Sequence, residues 1–457
     1  MGAGRMISTL GIILLLIYFA GLVIAVTTRK LQIYKVTILT YGIIVSLFIN
    51  LGNFVLNFSF SEVAAVVCLC TCFLATILKG NYDIKCKKHT LACFLILILA
   101  VLLGFANCAF RDDMPYVLAM DINMDQAYYG LLSPVRASIT EYNRIAFMDL
   151  LLFALVILAY KKELQDRSIV KSILDTIRKA FHVLFLVAFI EFVFNNFVSP
   201  ELLRNVAISL VGTLDEAKTY YPENRFGYYG ITLLFSEQSY VAILIMYYAI
   251  VWKLRINNKK EFVFYILSIG VLIMSGCSTG IVMLPLALVV FLRECIKRHQ
   301  KGLIRLLEWS FAVLILAFGI YIIVTNPLYF AEYLDSTILK IGALLQGGQY
   351  TNNAVLASGA TRNYANGLAI EAFLSSPLFG VGVGGTRGYG IWAAFAATFG
   401  IVGMVAFVVY INNVFQFSLK GKVLLSIILA AYFSIILSVW YLYMLAFIPI
   451  YLCLQKE

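Results

Sequence analysis

Uninterrupted apolar stretches of about 18 to 20 residues, the length a helix needs to cross the hydrocarbon core of a bilayer, recur along the whole chain. Inside a bilayer the backbone has no water to bond, so only helices and closed barrels can span it, and long continuous runs select helices over the short alternating segments of a barrel. The pattern predicts spans at 7–26, 36–56, 60–78, 90–109, 145–160, 180–198, 232–252, 262–276, 278–293, 308–325, 392–412, 423–439 and 440–454. The fold class expected is therefore an all-α polytopic membrane protein of 12 or 13 transmembrane helices, forming one integral membrane domain over residues 1–457. Composition agrees, with 62% hydrophobic and 13% charged residues. The first run is read as a retained span, because "TTRK" follows it where a signal peptide would have a small-residue cleavage site.

Lysine and arginine set the orientation. The connections "TTRKLQIYK", "KGNYDIKCKKH", "KKELQDRSIVKSILDTIRK", "KLRINNKKE", "RECIKRHQKGLIR" and "KGK", with Lys456, hold 25 of the 35 basic residues and are assigned to the cytoplasm. The net charge of +11 is then mostly this bias plus contact with lipid headgroups, and gives no reason to expect a nucleic acid partner. The opposite face receives three longer segments, 110–144, 199–231 and 326–391. Ten basic residues fall outside: Arg5, Arg111, Arg136, Arg144, Arg204, Lys218, Arg225, Lys340, Arg362 and Arg387. Eight of the ten are arginine, whose planar fork suits phosphate or carboxylate. The plain alternative is loop charges paired with Asp112, Asp113, Glu141, Glu223 or Glu371.

The 326–391 segment is too long for a passive turn. Its "LYFAEYLDSTILKIGALLQ" and "TRNYANGLAIEAFLSS" carry apolar residues at helical spacing, the second with Tyr364, Leu368, Phe373 and Leu374 along one face, so short helices are expected within a large late loop. The "GVGVGG" run that follows (Gly380 to Gly385) lacks the preceding strand and the Gly-Lys-Ser/Thr of a nucleotide loop. A close-packing or hinge turn is the favoured reading, with amides still able to meet an anion. Within "ENRFGYYGITLLFSEQSYVAILI", Arg225 precedes Gly227 and Glu237 enters a span, where a carboxylate is by default a functional candidate or else a packing partner for an arginine. Arg362 and Glu371 are nine positions apart, too far for direct contact along a helix. Most cysteines lie in apolar runs, as small core residues would, and His89, His182 and His299 have no ligand-like spacing, so neither a metal nor a cofactor is expected.

"NRFGYYG" before a span, "FSEQSYVAILI" entering it, "MSGCSTGIVMLPLALVVFL" two spans on and "SSPLFGVGVGG" closing the large loop together resemble the O-antigen polymerase and O-antigen ligase superfamily. The resemblance covers about residues 220–410 and implies a metal-independent membrane glycosyltransferase of the bacterial inner membrane, acting at the periplasmic face on glycans linked to undecaprenyl diphosphate. It implies that Arg225 and Arg362 hold the donor diphosphate, with Glu237 a match for the Glu of a Glu-Pro-Ser motif that here reads Glu237, Gln238 and Ser239. The histidine that related ligases place after the glycine run is absent from "TRGYGIWAAF", which leans toward a polymerase.

Departure of a diphosphate is stabilised by preorganised guanidinium groups. Glu237, and after it Glu371, are the candidate general bases for the acceptor hydroxyl. Arg387, Arg136, Arg144 and Glu371 complete the expected substrate-binding set, with Tyr228 and Tyr364 among the tyrosines able to stack on sugars. The implied partners are the lipid-linked oligosaccharide, membrane lipid and a protein that regulates chain length. Two rivals stay open, a ligase and a flippase for the same unit. Against the flippase stand the long outside segments and the few charged residues within spans, namely Glu62, Glu191 and Glu237.

Overall fold

The computed structural model describes residues 8–49, 53–55, 58–79, 88–118, 134–211, 224–225, 228–233, 259–277, 354–386, 391–423 and 447–455, with isolated positions between 238 and 248 and at 280, 284, 338 and 445. In chain order the described elements begin with α1 (Thr9–Thr27), α2 (Leu31–Phe48), β1 (Asn53–Val55), β2 (Phe58–Ser59), α3 (Phe60–Lys79) and α4 (Lys88–Phe110). There follow β3 (Tyr116–Val117), β4 (Val135–Arg136), α5 (Glu141–Ala159), α6 (Lys161–Gln165), α7 (Arg167–Phe197) and α8 (Leu202–Val211). Last come β5 (Asn224–Arg225), β6 (Tyr228–Tyr229), α9 (Lys259–Met274), α10 (Ala354–Ser375), α11 (Ile391–Phe415) and α12 (Ile448–Cys453). The strands form three separate antiparallel hairpins, β1 with β2, β3 with β4 and β5 with β6.

Among the described residues, six helices are long and apolar enough to cross a membrane: α1, α2, α3, α4, α5 and α11. The protein is thus helical and membrane-embedded. Bulky apolar side chains on α1 such as Leu16, Ile17, Phe19 and Val23 are exposed, as a face turned to lipid requires.

The chain divides into two compact units, one made from residues 1–64 and 171–335, the other from 65–170 and 336–457. In the first, Leu10, Leu14 and Leu15 of α1 pack with Val45, Ile49, Phe60 and Val63. The start of α3 is a reciprocal cap in which Ser59 N donates to Glu62 Oε2 and Glu62 N donates to Ser59 Oγ, at 2.5 and 3.2 Å. Deeper in this unit Phe48, Phe185 and Tyr248 surround Phe181, with centroids 5.0 to 6.1 Å from its ring. The His182 ring lies flat on Phe264 at 3.5 Å, and Arg178 of α7 forms an ion pair with Glu261 of α9.

In the second unit α4 and α11 run against each other, and buried tyrosines find backbone partners. Tyr410 donates to Ala154 O at 2.6 Å and Tyr160 to Cys68 O at 3.0 Å. Each hydroxyl is thereby satisfied where water is excluded.

Several boundaries differ from those the hydropathy pattern predicts. The span expected at 36–56 ends at Phe48, because Asn50, Gly52 and Asn53 break the run and a hairpin follows. The one expected at 145–160 begins at Glu141, where Thr140 and Asn143 form a capping box. The one expected at 180–198 is the end of the 31-residue α7, whose charged first half stays helical on apolar contacts from Val170, Ile173, Leu174 and Ile177. In the late loop the helix expected over "TRNYANGLAIEAFLSS" is present as part of the 22-residue α10, while "LYFAEYLDSTILKIGALLQ" lies outside the described residues apart from Ile338. The predicted spans at 278–293, 308–325 and 423–439 lie outside the described residues, apart from Gly280, Leu284 and Val423.

Candidate functional site

Within the first unit, the stretch from β5 to Leu233 is fastened to one face of α7. Three polar residues near the end of that helix supply the grip: Glu191, Asn195 and Asn196. Glu191 and Asn195 are four apart and so share a face. The buried Glu191 carboxylate accepts from Thr232 N at 2.8 Å and Thr232 Oγ1 at 3.1 Å through one oxygen, and from Leu233 N at 2.8 Å through the other. Asn195 donates to Gly230 O at 2.9 Å. Asn196 bonds Tyr229 twice, donating to its carbonyl at 2.9 Å and accepting its amide at 2.7 Å.

Two further contacts close the arrangement. The Tyr228 hydroxyl donates to Ile273 O at 2.6 Å while its ring meets Phe192 edge-on at 5.5 Å. Ile231 N donates to Met274 O at 3.2 Å. Gly230 fills the tightest point, since a Cβ there would stand 2.5 Å from Ser275 O. Arg204 of α8 is buried beside the grip and donates to Leu233 O at 3.4 Å. Backbone amides and carbonyls that would otherwise be orphaned in this buried stretch are in this way accounted for.

Arg225 sits in β5 and pairs in register with Tyr228 of β6. The described part of Arg225 is its backbone. Tyr228 is half-buried, with its hydroxyl on Ile273 O. Glu237 and Arg387 lie outside the described residues.

Within the second unit, α10 carries Arg362, Tyr364 and Glu371. Its packed face is Ala365, Leu368, Ala369 and Ala372, at spacings of three, one and three. This face meets Met114, Val117, Leu118 and Ala137 from the segment between α4 and α5, so two of the three segments that charge assigns outside are in contact. The sequence pattern expects Tyr364, Leu368, Phe373 and Leu374 on that face, yet Leu374 is 68% exposed and Tyr364 lies at the margin. Close approach of the hairpin backbone favours alanine over bulk. Glu371 is exposed, and the Arg362 side chain is outside the described atoms.

The glycine run after α10 is a packing turn. Gly380, Gly382 and Gly384 have φ of +69°, +82° and +77°, and the alternate Val381 and Val383 are fully buried. A Cβ on Gly380 would lie 2.4 Å from Ala397 O, and one on Gly384 2.5 Å from Tyr142 O. Side chains tie the turn down: Asn143 donates to Val383 O at 2.9 Å, Cys108 to Val381 O at 2.8 Å, and Asn107 to Ser376 Oγ at 2.9 Å. The amide of Val381 is taken by Ala397 O at 2.8 Å. Opposite, α11 is broken at Gly400 (φ +59°, ψ −175°), and the amides of Ile401 and Val402 beyond the break donate to Pro377 O and Leu378 O at 2.8 and 3.1 Å.

Of the arginines that the charge pattern assigns outside, Arg111, Arg136 and Arg144 have local partners. Arg144 pairs with Glu141 at 2.7 Å, both well exposed, and Arg111 with Asp113 at 2.9 Å. This second pair holds the Asp113 carboxyl below, and the Arg111 guanidinium above, their ordinary values through its hydrogen bond and charge. Arg136 donates to Asp112 O at 2.9 Å and lies over the Tyr116 ring at 5.9 Å.

Sequence reasoning names Glu191 only as a charge in a span and passes over Asn195 and Asn196. The signal is that Asn195 lies four positions after Glu191, a pair of polar side chains on one face of an otherwise apolar stretch that calls for buried partners. Asp149, buried in α5, is a further carboxylate within a span. No protein-family model matches the chain, and no curated protein matches it.

Proposed function

We propose that the protein polymerises a surface polysaccharide at the periplasmic face of a bacterial inner membrane. The growing glycan passes from undecaprenyl diphosphate to a sugar hydroxyl of an incoming lipid-linked repeat unit. Arg225 and Arg362 bind the diphosphate, and Glu237 takes the acceptor proton. The observation that carries the reading is the "NRFGYYG" stretch together with its anchorage: the hairpin bearing Arg225 continues into backbone gripped by Glu191, Asn195 and Asn196. Stabilising a departing diphosphate requires donors fixed before the reaction, and a hairpin rooted in buried hydrogen bonds meets that need. Arg362 lies three residues before Ala365, a buried anchor of α10.

The test is a gel of surface polysaccharide from a strain lacking the gene. Loss of the ladder with a single repeat unit remaining on the core supports polymerisation. A bare core would transfer the assignment to ligation or to flipping of the lipid-linked unit.

A further inference from the structure

A groove of about 320 Å³ runs between α1 and α2 in the first unit. Its walls are apolar, with Ile17, Ile24, Ile33 and Ile38 among them, and its polar end is formed by Thr28 and Lys30. Gly21 leaves it open at the middle, where a Cβ would stand 2.7 Å from the Tyr34 ring. The Tyr34 hydroxyl donates to Tyr18 O and fixes that ring as a wall.

From the occupant's side, three features narrow the choice. The groove opens on the exposed face of α1, where Ile17 and Ile24 are 57% and 61% exposed on a helix long and apolar enough to span a bilayer, so lipid and not water is its surrounding solvent. The wall from Ile17 to Thr28 rises about 16 Å at ~1.5 Å per residue, which is about half of a ~30 Å hydrocarbon core and so the depth of one leaflet. At the polar end Arg29 and Lys30 are exposed, and among the described residues neither is joined to a carboxylate.

Arg29 adds an independent mark. It occupies the left-handed region at φ +56° in the turn that ends α1, where Lys30 N donates back to Ala25 O at 2.9 Å. Glycine is the residue that suits such a turn, and a side chain there is strained. A guanidinium kept in that conformation points to a use for its charge.

We propose that this groove binds one anionic diacyl phospholipid of the leaflet on the "TTRK" side, an acyl chain lying along α1 and α2 and the phosphate meeting Arg29 and Lys30. The site is separate from the polymerase reading and does not depend on it.

Native mass spectrometry of the full chain, released from detergent with phosphatidylglycerol or phosphatidylcholine of identical acyl chains, tests the proposal. One phosphatidylglycerol should remain bound at collision energies that strip phosphatidylcholine. Arg29→Gln with Lys30→Gln should weaken it by about tenfold or more, at ~1 kcal/mol per basic residue. Arg29→Gly should weaken it while leaving the melting temperature unchanged or higher, which separates lipid loss from misfolding. Thr37→Phe, filling the groove, should remove the retained lipid with both charges intact. Equal retention of the two lipids, or retention unchanged by the charge variants or by Thr37→Phe, would overturn the proposal and leave only bulk lipid around the helices.

Discussion

Glu191 and Thr232, 41 positions apart, are joined twice, through the threonine amide at 2.8 Å and its hydroxyl at 3.1 Å, with both residues buried. Burial leaves the carboxylate dependent on these donors, and the two amides dependent on it. Glu191→Ala should destabilise the protein by about 3 kcal/mol, read as an earlier thermal transition in detergent. Glu191→Gln keeps the volume but points an amide donor at donors, so its loss should be smaller yet clear. An unchanged melting temperature in the alanine variant would mean that the hairpin is held elsewhere.

Two glycines give opposite expectations. Gly384→Ala would drive a Cβ onto Tyr142 O from a left-handed backbone and should cost about 2–3 kcal/mol. Gly367, inside α10 with nothing within 4 Å of its Cβ position, should gain up to about 1 kcal/mol as alanine. The same melting assay checks both, and a similar response from the two would refute the packing account of the glycine run.

For Arg362→Lys and Arg225→Lys, surface polysaccharide should lose its long chains although charge is kept, because a point ammonium cannot make the bidentate contact of a guanidinium. Arg167→Lys, at the exposed start of α7 and outside the expected site, should leave chain length unaltered. Immunoblots of the ladder in complemented deletion strains distinguish these outcomes. Wild-type ladders from Arg362→Lys would remove that residue from diphosphate binding.

The Asp113 carboxyl is held low by Arg111, so the folded state keeps its proton off more readily than the unfolded chain. Its contribution to stability is therefore complete above the ordinary aspartate pKa of about 4 and disappears as pH falls through the lower folded value. Melting temperatures measured on the acid side should show a shallower decline for Asp113→Asn than for the wild type. Parallel curves would show that the pair adds nothing.

How much of this could be read beforehand varies with the physics involved. Hydropathy finds α1, α3 and α4 nearly to the residue, since the length of an apolar run is the quantity a bilayer measures. It overruns α2, where an apolar stretch continues past Asn50 into a hairpin, and it misses the first half of α7, whose helix is held by tertiary contacts beneath a charged surface. The alanine face of α10 is invisible to a search for bulk, because there proximity of two backbones decides the packing. The turn character of "GVGVGG" is legible from the glycines alone, whereas its docking against Asn143 and Cys108 depends on partners more than 200 positions away. Glu191 stands out in the sequence as a charge in oil. What it holds does not, because Thr232 and Leu233 answer it mainly through backbone amides, with one threonine hydroxyl beside them.

The break at Gly400 ties two segments of the second unit together. The amides of Ile401 and Val402 lack acceptors within their own helix and find them on Pro377 and Leu378, residues of the preceding turn. The second half of α11 is thus hydrogen-bonded at its start to the 376–380 turn, so that displacing either segment would strip the other of its backbone partners.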